Sequence, residues 1–394
     1  MIDKTLDSIT EEDLQGLIQN AIPEKKNLEY KAEIPLNSDR EKIRFLADIS
    51  SFANANGGDL YIGIVEDREK GIPQEIRGVK IENPDKEILR IESLIRDGIT
   101  PRLSPVEIRC LKMLNENFII LLRIQPSWMS PHRVILKGHD KFYSRNSAGK
   151  YQMDVDELRN AFTLADTVRK NISNFRTDRI FKIEANETPV LCYESAKTIF
   201  HLIPLVSLSR PISFEIKSLV RSPDILNKMQ PMGHTAHERR YNFDGYLTYS
   251  IGQENKASSY FQFYRNGIIE SVEAYWLSRD KYIQIASLER GIIESLSDYL
   301  ILMRGLRIPV PIFMFLTLVG VKDHRIPPSR DTYLLSAEHM IGRDILQLRE
   351  LIIEDYPTKV DAILKPIFDS LWNAGGYSED PYYAEDGTWS GPDS

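Results

Sequence analysis

Five side chains in the first seventy residues have the types and spacing to act on a phosphate. Glu24 and Glu29 lie five positions apart, Lys31 follows Glu29 by two, and Glu66-Asp67 closes an apolar run further on. Five residues carry a helix well past one face, and an odd offset puts strand neighbours on opposite sides. Glu24 and Glu29 therefore share an ion only where the chain bends between them, and Lys25-Lys26-Asn27 after Pro23 supplies that bend. A third acid, Glu66 or Asp67, would complete a carboxylate set of the kind that holds Mg2+ or Mn2+. Lys31, on the same strand face as Glu29, would neutralise a phosphate or orient the attacking water. An acid, then Glu-x-Lys, then a third acid is a layout for metal-assisted phosphodiester cleavage, the ion generating hydroxide and stabilising the developing charge. On this reading Glu24, Glu29, Lys31 and a third acid, Glu66 or Asp67, carry the chemistry, with the carboxylates as the ligands. Glu29→Gln then abolishes cleavage and leaves thermal stability nearly unchanged. The competing reading makes Glu29, Lys31 and Glu33 the wet face of an edge strand.

The elements that must position these groups follow from periodicity. Leu28 to Ile34 alternates, with Leu28, Tyr30, Ala32 and Ile34 on one face. Glu41 to Ala53 has the broad apolar stripe of a helix, ended by Asn54 to Gly58, whose Asn and Gly accept positive φ. Leu60 to Val65 then suits a buried strand that carries acids at its exit. Thr10 and Asp13 form a capping box for a helix over 10–20. Arg68 to Val79 reads as a loop and Asp85 to Asp97 as a helix. Val106–Met113 and Phe118–Ile124 pair around Leu114 to Asn117, as do His132–Leu136 and Lys141–Arg145 around Gly138. Helices intermixed with antiparallel strands predict an α+β domain with a mixed sheet.

A second feature is charge. Between Arg123 and Lys150 stand six cations against one acid, Asp140. Arg133, Lys137, Lys141, Arg145 and Lys150 are the candidate nucleic-acid contacts, with Trp128, His132, Phe142 and Tyr143 interleaved for base stacking. A hairpin with ordinary solvated charges is the alternative.

Several motifs are missing. No Gly-x4-Gly-Lys-Ser/Thr occurs, so no ATP site is predicted, and Gly57-Gly58 with Gly63 makes no dinucleotide fingerprint. His234-Thr235-Ala236-His237-Glu238 fits neither zinc-protease pattern and reads as a loop. Cys110 and Cys192 lie in apolar runs as packing residues. Two cysteines exclude a disulfide scaffold or a thiolate zinc cluster.

The totals fit an ordinary globular protein: 394 residues, 27% charged, 42% hydrophobic, net charge −7, with room for about two domains. The opening Met1-Ile2-Asp3-Lys4 is wrong for a signal peptide, and the longest apolar stretch, Ile308 to Val319, contains two prolines and is too short for a bilayer. Cytoplasmic, with no membrane partner, is the expectation. A boundary is expected within the polar stretch 165–185. It separates a first domain (1–165) from a second α+β domain (166–377) and an acidic, mobile tail (378–394). In the second domain, Thr198–Val206, Tyr241–Ile251 and Ser259–Tyr264 read as strands, with a hairpin at Arg265-Asn266-Gly267. Leu288–Met303 reads as a helix, Ile308–Val319 as a buried strand, and Leu346–Leu371 as two helices parted near Tyr356-Pro357.

Three segments in order resemble the Schlafen AlbA-like domain. They are Glu24-Lys25-Lys26-Asn27-Leu28-Glu29-Tyr30-Lys31, then Phe52-Ala53-Asn54-Ala55-Asn56-Gly57-Gly58, then Ile62-Gly63-Ile64-Val65-Glu66-Asp67. Phe142-Tyr143-Ser144-Arg145-Asn146, Met153 and a helix from Asp156 to Phe162 are similar to its closing segment. The resemblance spans roughly residues 10–165 and adds weight to Arg145. It implies nucleic-acid binding. In Schlafen proteins that are RNA nucleases, the acids matching Glu24, Glu29 and a third position are catalytic, and ungapped counting puts the third on Glu66 where the family commonly has Asp-Asp. The leading expectation is therefore a metal-dependent endoribonuclease acting on tRNA-like RNA. The alternative is a non-catalytic DNA-binding regulator whose C-terminal half senses a ligand or builds a homodimer.

Overall fold

The computed structural model describes residues 2, 4–67, 71–103, 106–209, 212–277, 281–327 and 339–392, in two compact units, 1–167 and 168–394. Both units are α+β. No helix of the described residues is long and apolar enough to cross a membrane.

The first unit runs α1 (Glu11–Gln19), β1 (Leu28–Lys31), α2 (Asp39–Ala53), β2 (Gly58–Ile62), β3 (Ile64–Asp67), β4 (Ile72–Ile76), α3 (Pro84–Gly98), β5 (Ile99–Thr100), β6 (Glu107–Lys112), β7 (Phe118–Ile124), β8 (Arg133–Val134), β9 (Lys141–Asn146) and β10 (Gly149–Gln152). Its main sheet has the order β1-β2-β7-β6, with β1 parallel to β2 and the other pairs antiparallel. Period-two alternation separates two cores. Leu60, Ile62, Ile120 and Leu122 meet Phe45, Leu46, Ile49 and Phe52 of α2, while Leu28, Tyr30, Tyr61 and Leu121 meet Leu14 and Leu17 of α1. A smaller sheet, β10-β9-β8-β5, stands beside α2.

The turn from α2 into β2 explains the Asn-Gly-Gly segment. Asn54 keeps helical backbone angles (φ −76°), so positive φ falls to Gly57 alone (φ 71°). The Asn54 side chain instead ties the helix end to β8 and β9. It donates to the His132 and Tyr143 carbonyls at 2.8 Å each and accepts from the His132 N–H at 2.7 Å. At Gly58 a side chain would collide with the Phe52 ring.

The stretch read as a loop over 68–79 holds β4, paired to β3; residues 68–70 lie outside the described set. Pro73 sits opposite Glu66 beside a register shift, the kind of position in which a strand accommodates proline.

The polar stretch expected to be a boundary is helical. It belongs to α4 (Val155–Glu184), whose Val168, Ile172, Ile180 and Ile183 are buried at helical spacing. Beyond it come β11 (Lys197–Pro204), short helices α5 to α7 (Val206–Ser209, Ile216–Leu219, Pro223–Lys228), β12 (Glu238–Tyr241), β13 (Gly245–Ile251), β14 (Ala257–Tyr264), β15 (Ile269–Glu273), α8 (Ile285–Gly305), β16 (Ile312–Val319), β17 (Ile345–Gln347), β18 (Leu351–Ile353) and α9 (Val360–Ala374). The sheet order is β12-β13-β14-β15-β11-β16-β17, antiparallel throughout, with β18 also on β16. Helices α8 and α9 cover one face.

Two expectations fail in this unit. Residues 346–371 are two short strands and one helix, because Ile345, Leu346, Ile352 and Ile353 find partners along β16 and pairing overrides the helical periodicity. The acidic tail is packed, through its aromatics. Asp380 is buried, Tyr383 donates to the Asp361 carbonyl at 2.7 Å, and the Trp389 indole donates to Glu289 at 2.9 Å.

Candidate functional site

Strand β1 sends Leu28 and Tyr30 into the core and turns Glu29 and Lys31 to its other side. There they meet Asp48 from α2, Arg145 from β9 and Lys150 from β10. Glu29 accepts from both Lys31 Nζ and Arg145 Nη2. Asp48 accepts from Lys150 Nζ at 2.6 Å, and Lys31 Nζ and Arg145 Nη1 each stand 3.7 Å from it. The Arg145 guanidinium lies 4.0 Å over the centre of the Phe52 ring. Two carboxylates and three cations thus lock β1, α2, β9 and β10 together.

Burial raises the Glu29 carboxyl, but the Lys31 charge and then Arg145 outweigh it and hold it below the usual range. Burial also opposes the Lys31 ammonium, yet Asp48 and Glu29 keep its pKa above the ordinary lysine value. Asp48 is 1% exposed, and there burial wins over Lys31, raising its pKa.

Glu24 stands beside this cluster. The chain bends between the two glutamates, with Lys25 and Leu28 exchanging backbone hydrogen bonds at 3.1 Å. The bend lets Glu24 accept from the Tyr30 N–H at 2.8 Å. Burial first, then the Glu29 charge, with Glu66 adding to it, push Glu24 up to about 8. Glu66 on β3 has a buried Oε2 with no hydrogen-bond partner. Asp67 accepts from Gln74 at 3.4 Å.

The metal set predicted from sequence is not assembled. Among the described residues no three His, Cys, Asp or Glu side chains gather closely enough to hold an ion. Glu29 has each oxygen on a cation, and Asp67 is drawn to β4. Glu24, Glu29, Glu66 and Asp67 therefore do not fit Mg2+ or Mn2+ as arranged here. Lone pairs taken by an ammonium and a guanidinium are not open to a cation.

The basic stretch divides in two. Arg145 and Lys150 are inside the cluster, and Arg123 is bound by Asp59 at 2.8 and 2.9 Å. Arg133 pairs with Asp140 at the surface, at 3.0 Å. Lys137 and Lys141 are exposed, with no ion pair among the described residues. The expected stacking aromatics separate in the same way. Trp128 and His132 are buried, His132 bonding to the Pro101 carbonyl and to Ser127 Oγ at 2.6 Å each. Phe142 and Tyr143 are half-buried, Phe142 against the exposed Phe162.

Sequence reasoning missed Asp48 and the role of the Phe52 ring beneath the Arg145 guanidinium. The available signal was a lone acid in the middle of the apolar run Phe45-Leu46-Ala47-Asp48-Ile49, since an unpaired carboxylate there is costly.

Residues 24–154 match the family model described as Schlafen, AlbA_2. Among solved structures, the chain is similar to the DIP2311 protein of Corynebacterium diphtheriae, at 12% identity and a TM-score of 0.24, over 36% of this chain and 26% of that one. It is also similar to the N-terminal domain of a RecG-related protein of Nitrosomonas europaea, at 16% identity and a TM-score of 0.26, over 36% of this chain and 92% of that one. The chain thus spans about a quarter of the first protein and nearly all of the second domain. No curated protein matches it.

Proposed function

Since residues 24–154 form a Schlafen AlbA-like domain, a type whose family suggests nucleic-acid binding, we propose that the protein grips a nucleic-acid backbone through the β8–β9 hairpin. The observation that carries this reading is the pair Lys137 and Lys141, exposed and without an ion pair among the described residues. A cation already committed to an internal carboxylate gains little from a phosphate, whereas a free one releases counterions on contact. Arg145 and Lys150 shape the hairpin from below. The test titrates labelled tRNA and duplex DNA with the full chain at about 50 and 200 mM salt. The double variant Lys137→Ala/Lys141→Ala should weaken binding evenly across sequences and lower the salt slope by about 2. Identical affinity and slope in variant and wild type would overturn the reading.

A second reading, cleavage of bound RNA, rests on Glu24. With its pKa pushed up to about 8 beside Glu66, it holds a proton at neutral pH. A protonated carboxyl next to a second glutamate offers the two partners of general acid–base chemistry on an RNA 2′-hydroxyl and its leaving oxygen. Incubating the protein with total tRNA, with Mn2+ and with EDTA in parallel, checks this. Glu24→Gln should abolish product while leaving tRNA affinity intact; no product from wild type in either condition ends the cleavage reading.

A further inference from the structure

A cavity of about 970 Å3 opens in the second unit where several strand ends meet. Its lining comes from Ser250 and Ile251 at the end of β13, Lys256 ahead of β14, Tyr193 before β11, the loop with His234 and His237, and Tyr275 just past β15. That volume lies in the range of sites for small organic ligands.

The cavity offers two kinds of contact. The Tyr193 and Tyr275 rings stand 6.4 Å apart at 44°, two aromatic side chains on one wall of the cavity. Tyr193 is fixed, because its hydroxyl accepts from the Gln253 N–H and Gly252 leaves the room a side chain would fill. The second contact is cationic. Among the described residues, the ion-pair partners of Lys256 Nζ are loose, Glu194 at 3.8 Å and Glu254 at 3.5 Å, both largely exposed.

The wall behind the imidazoles is rigid. Glu273, fully buried, accepts from the Tyr275 N–H at 2.7 Å and the Trp276 N–H at 2.9 Å, and lies 3.4 Å from His234 Nε2. His234 in turn stacks on Trp276, with ring centres 6.1 Å apart. A buried carboxylate spent on holding one loop in place is the support a preorganised site needs. The rest of the lining is mostly polar, with hydroxyls, imidazoles, Gln253 and the solvent-turned Glu194 carboxylate beside Lys256, and Ile251 as its aliphatic side chain, which disfavours a lipid or other wholly apolar ligand.

We propose that this cavity binds a mononucleotide, its base against Tyr193 and Tyr275 and its phosphate against Lys256 and His237. The inference is independent of the nucleic-acid interface in the first unit. Isothermal titration of the full chain with AMP, GMP and UMP tests it, alongside adenosine and inorganic phosphate alone. At least one mononucleotide should bind with a Kd below about 1 mM. Adenosine and phosphate should each bind about tenfold more weakly, having half the contacts. Lys256→Ala should weaken binding about tenfold, as expected for a charge-assisted contact. Tyr275→Ala should weaken it too, and Tyr275→Phe should retain it, since the ring face is what acts. Tyr275 is 41% exposed and Lys256 is partly exposed with loose partners, so the variants' melting curves should match wild type. No heat with any of the three nucleotides at about 5 mM overturns the proposal. So does affinity unaltered by Lys256→Ala and Tyr275→Ala, or affinity lost instead with Lys137→Ala/Lys141→Ala.

Discussion

Replacing Arg145 with Met asks whether the guanidinium is a nucleic-acid contact or an internal fastener. The Arg145 side chain is 1% exposed, bonds Glu29, faces Asp48 at 3.7 Å and lies on Phe52. Methionine keeps an apolar stem of similar length but strips a partner from each of two buried carboxylates. Breaking a buried pair this way costs about 3–5 kcal/mol, because the charge left behind stays desolvated. Lys31 still serves Glu29 and Lys150 still serves Asp48, which puts the cost near the lower end, about 3 kcal/mol. For a unit of 150–250 residues, each kcal/mol moves the melting temperature by about 2–4 °C. Scanning calorimetry of the full chain should therefore show the first unit's transition lowered by about 6–12 °C. Arg145→Lys should recover only part of this, since an ammonium has neither the flat face for Phe52 nor two forked donors. The same geometry reverses the expectation for Glu29→Gln, which now destabilises by leaving Lys31 and Arg145 short of a counter-charge. A transition for Arg145→Met within about 2 °C of wild type would refute the fastener reading.

Two further outcomes concern pH. A carboxyl whose folded pKa exceeds its unfolded value supports the fold while protonated. Its contribution is whole below the unfolded value and is lost as pH climbs through the folded one. For Glu24, raised by burial and by Glu29 from 4.5 to about 8, the first unit should lose stability to urea between those values; in Glu24→Gln that decline should be shallower, and equal slopes would count against it. Glu289 is raised further, to about 9, by burial and the neighbouring Asp380, while accepting from the Trp372 and Trp389 indoles at 2.8 and 2.9 Å. Glu289→Gln keeps an acceptor for an indole and removes the titration, so Trp fluorescence should report an undocking tail from pH 7 to 9 in wild type only; a tail that loosens equally in both proteins would rule out this latch.

Much of the fold could be read because its cues are local. The capping box of Thr10 and Asp13, the stripe of α2, and the hairpins around Asn115-Glu116 and Asn266-Gly267 each act within a few residues, and all are present. The failures lie where distant partners decide. Ile345 and Ile352 have no local reason to be extended; β16 supplies it from some thirty residues away. The tail from Ser378 looks solvated by charge count, yet Tyr382, Tyr383 and Trp389 carry enough apolar surface to dock, and Asp380 follows them in.

The site shows the same limit at the level of single side chains. Glu24, Glu29, Lys31, Arg145 and Lys150 were all identifiable as charged residues near a bend, a strand and a hairpin. What periodicity does not single out is Asp48, which lies inside an apolar helix face and draws Lys31, Arg145 and Lys150 inward. Once that carboxylate is buried, each cation near it is worth more as its counter-charge than as a phosphate contact, because desolvation penalises an unmatched charge more than solvent-screened attraction rewards an exposed one. The cations therefore sort by whether a carboxylate already holds them, Arg123 on Asp59 and Arg133 on Asp140 as well as those on Asp48. Arg145 and Lys150 are consumed, while Lys137 in the positive-φ turn with Gly138, and Lys141 beyond it, have no ion pair among the described residues. The buried Asp48 thus takes two of the six cations of this stretch out of reach of a nucleic acid, while Glu24, with no cation bonded to it among the described residues, is raised by burial and then by the Glu29 charge.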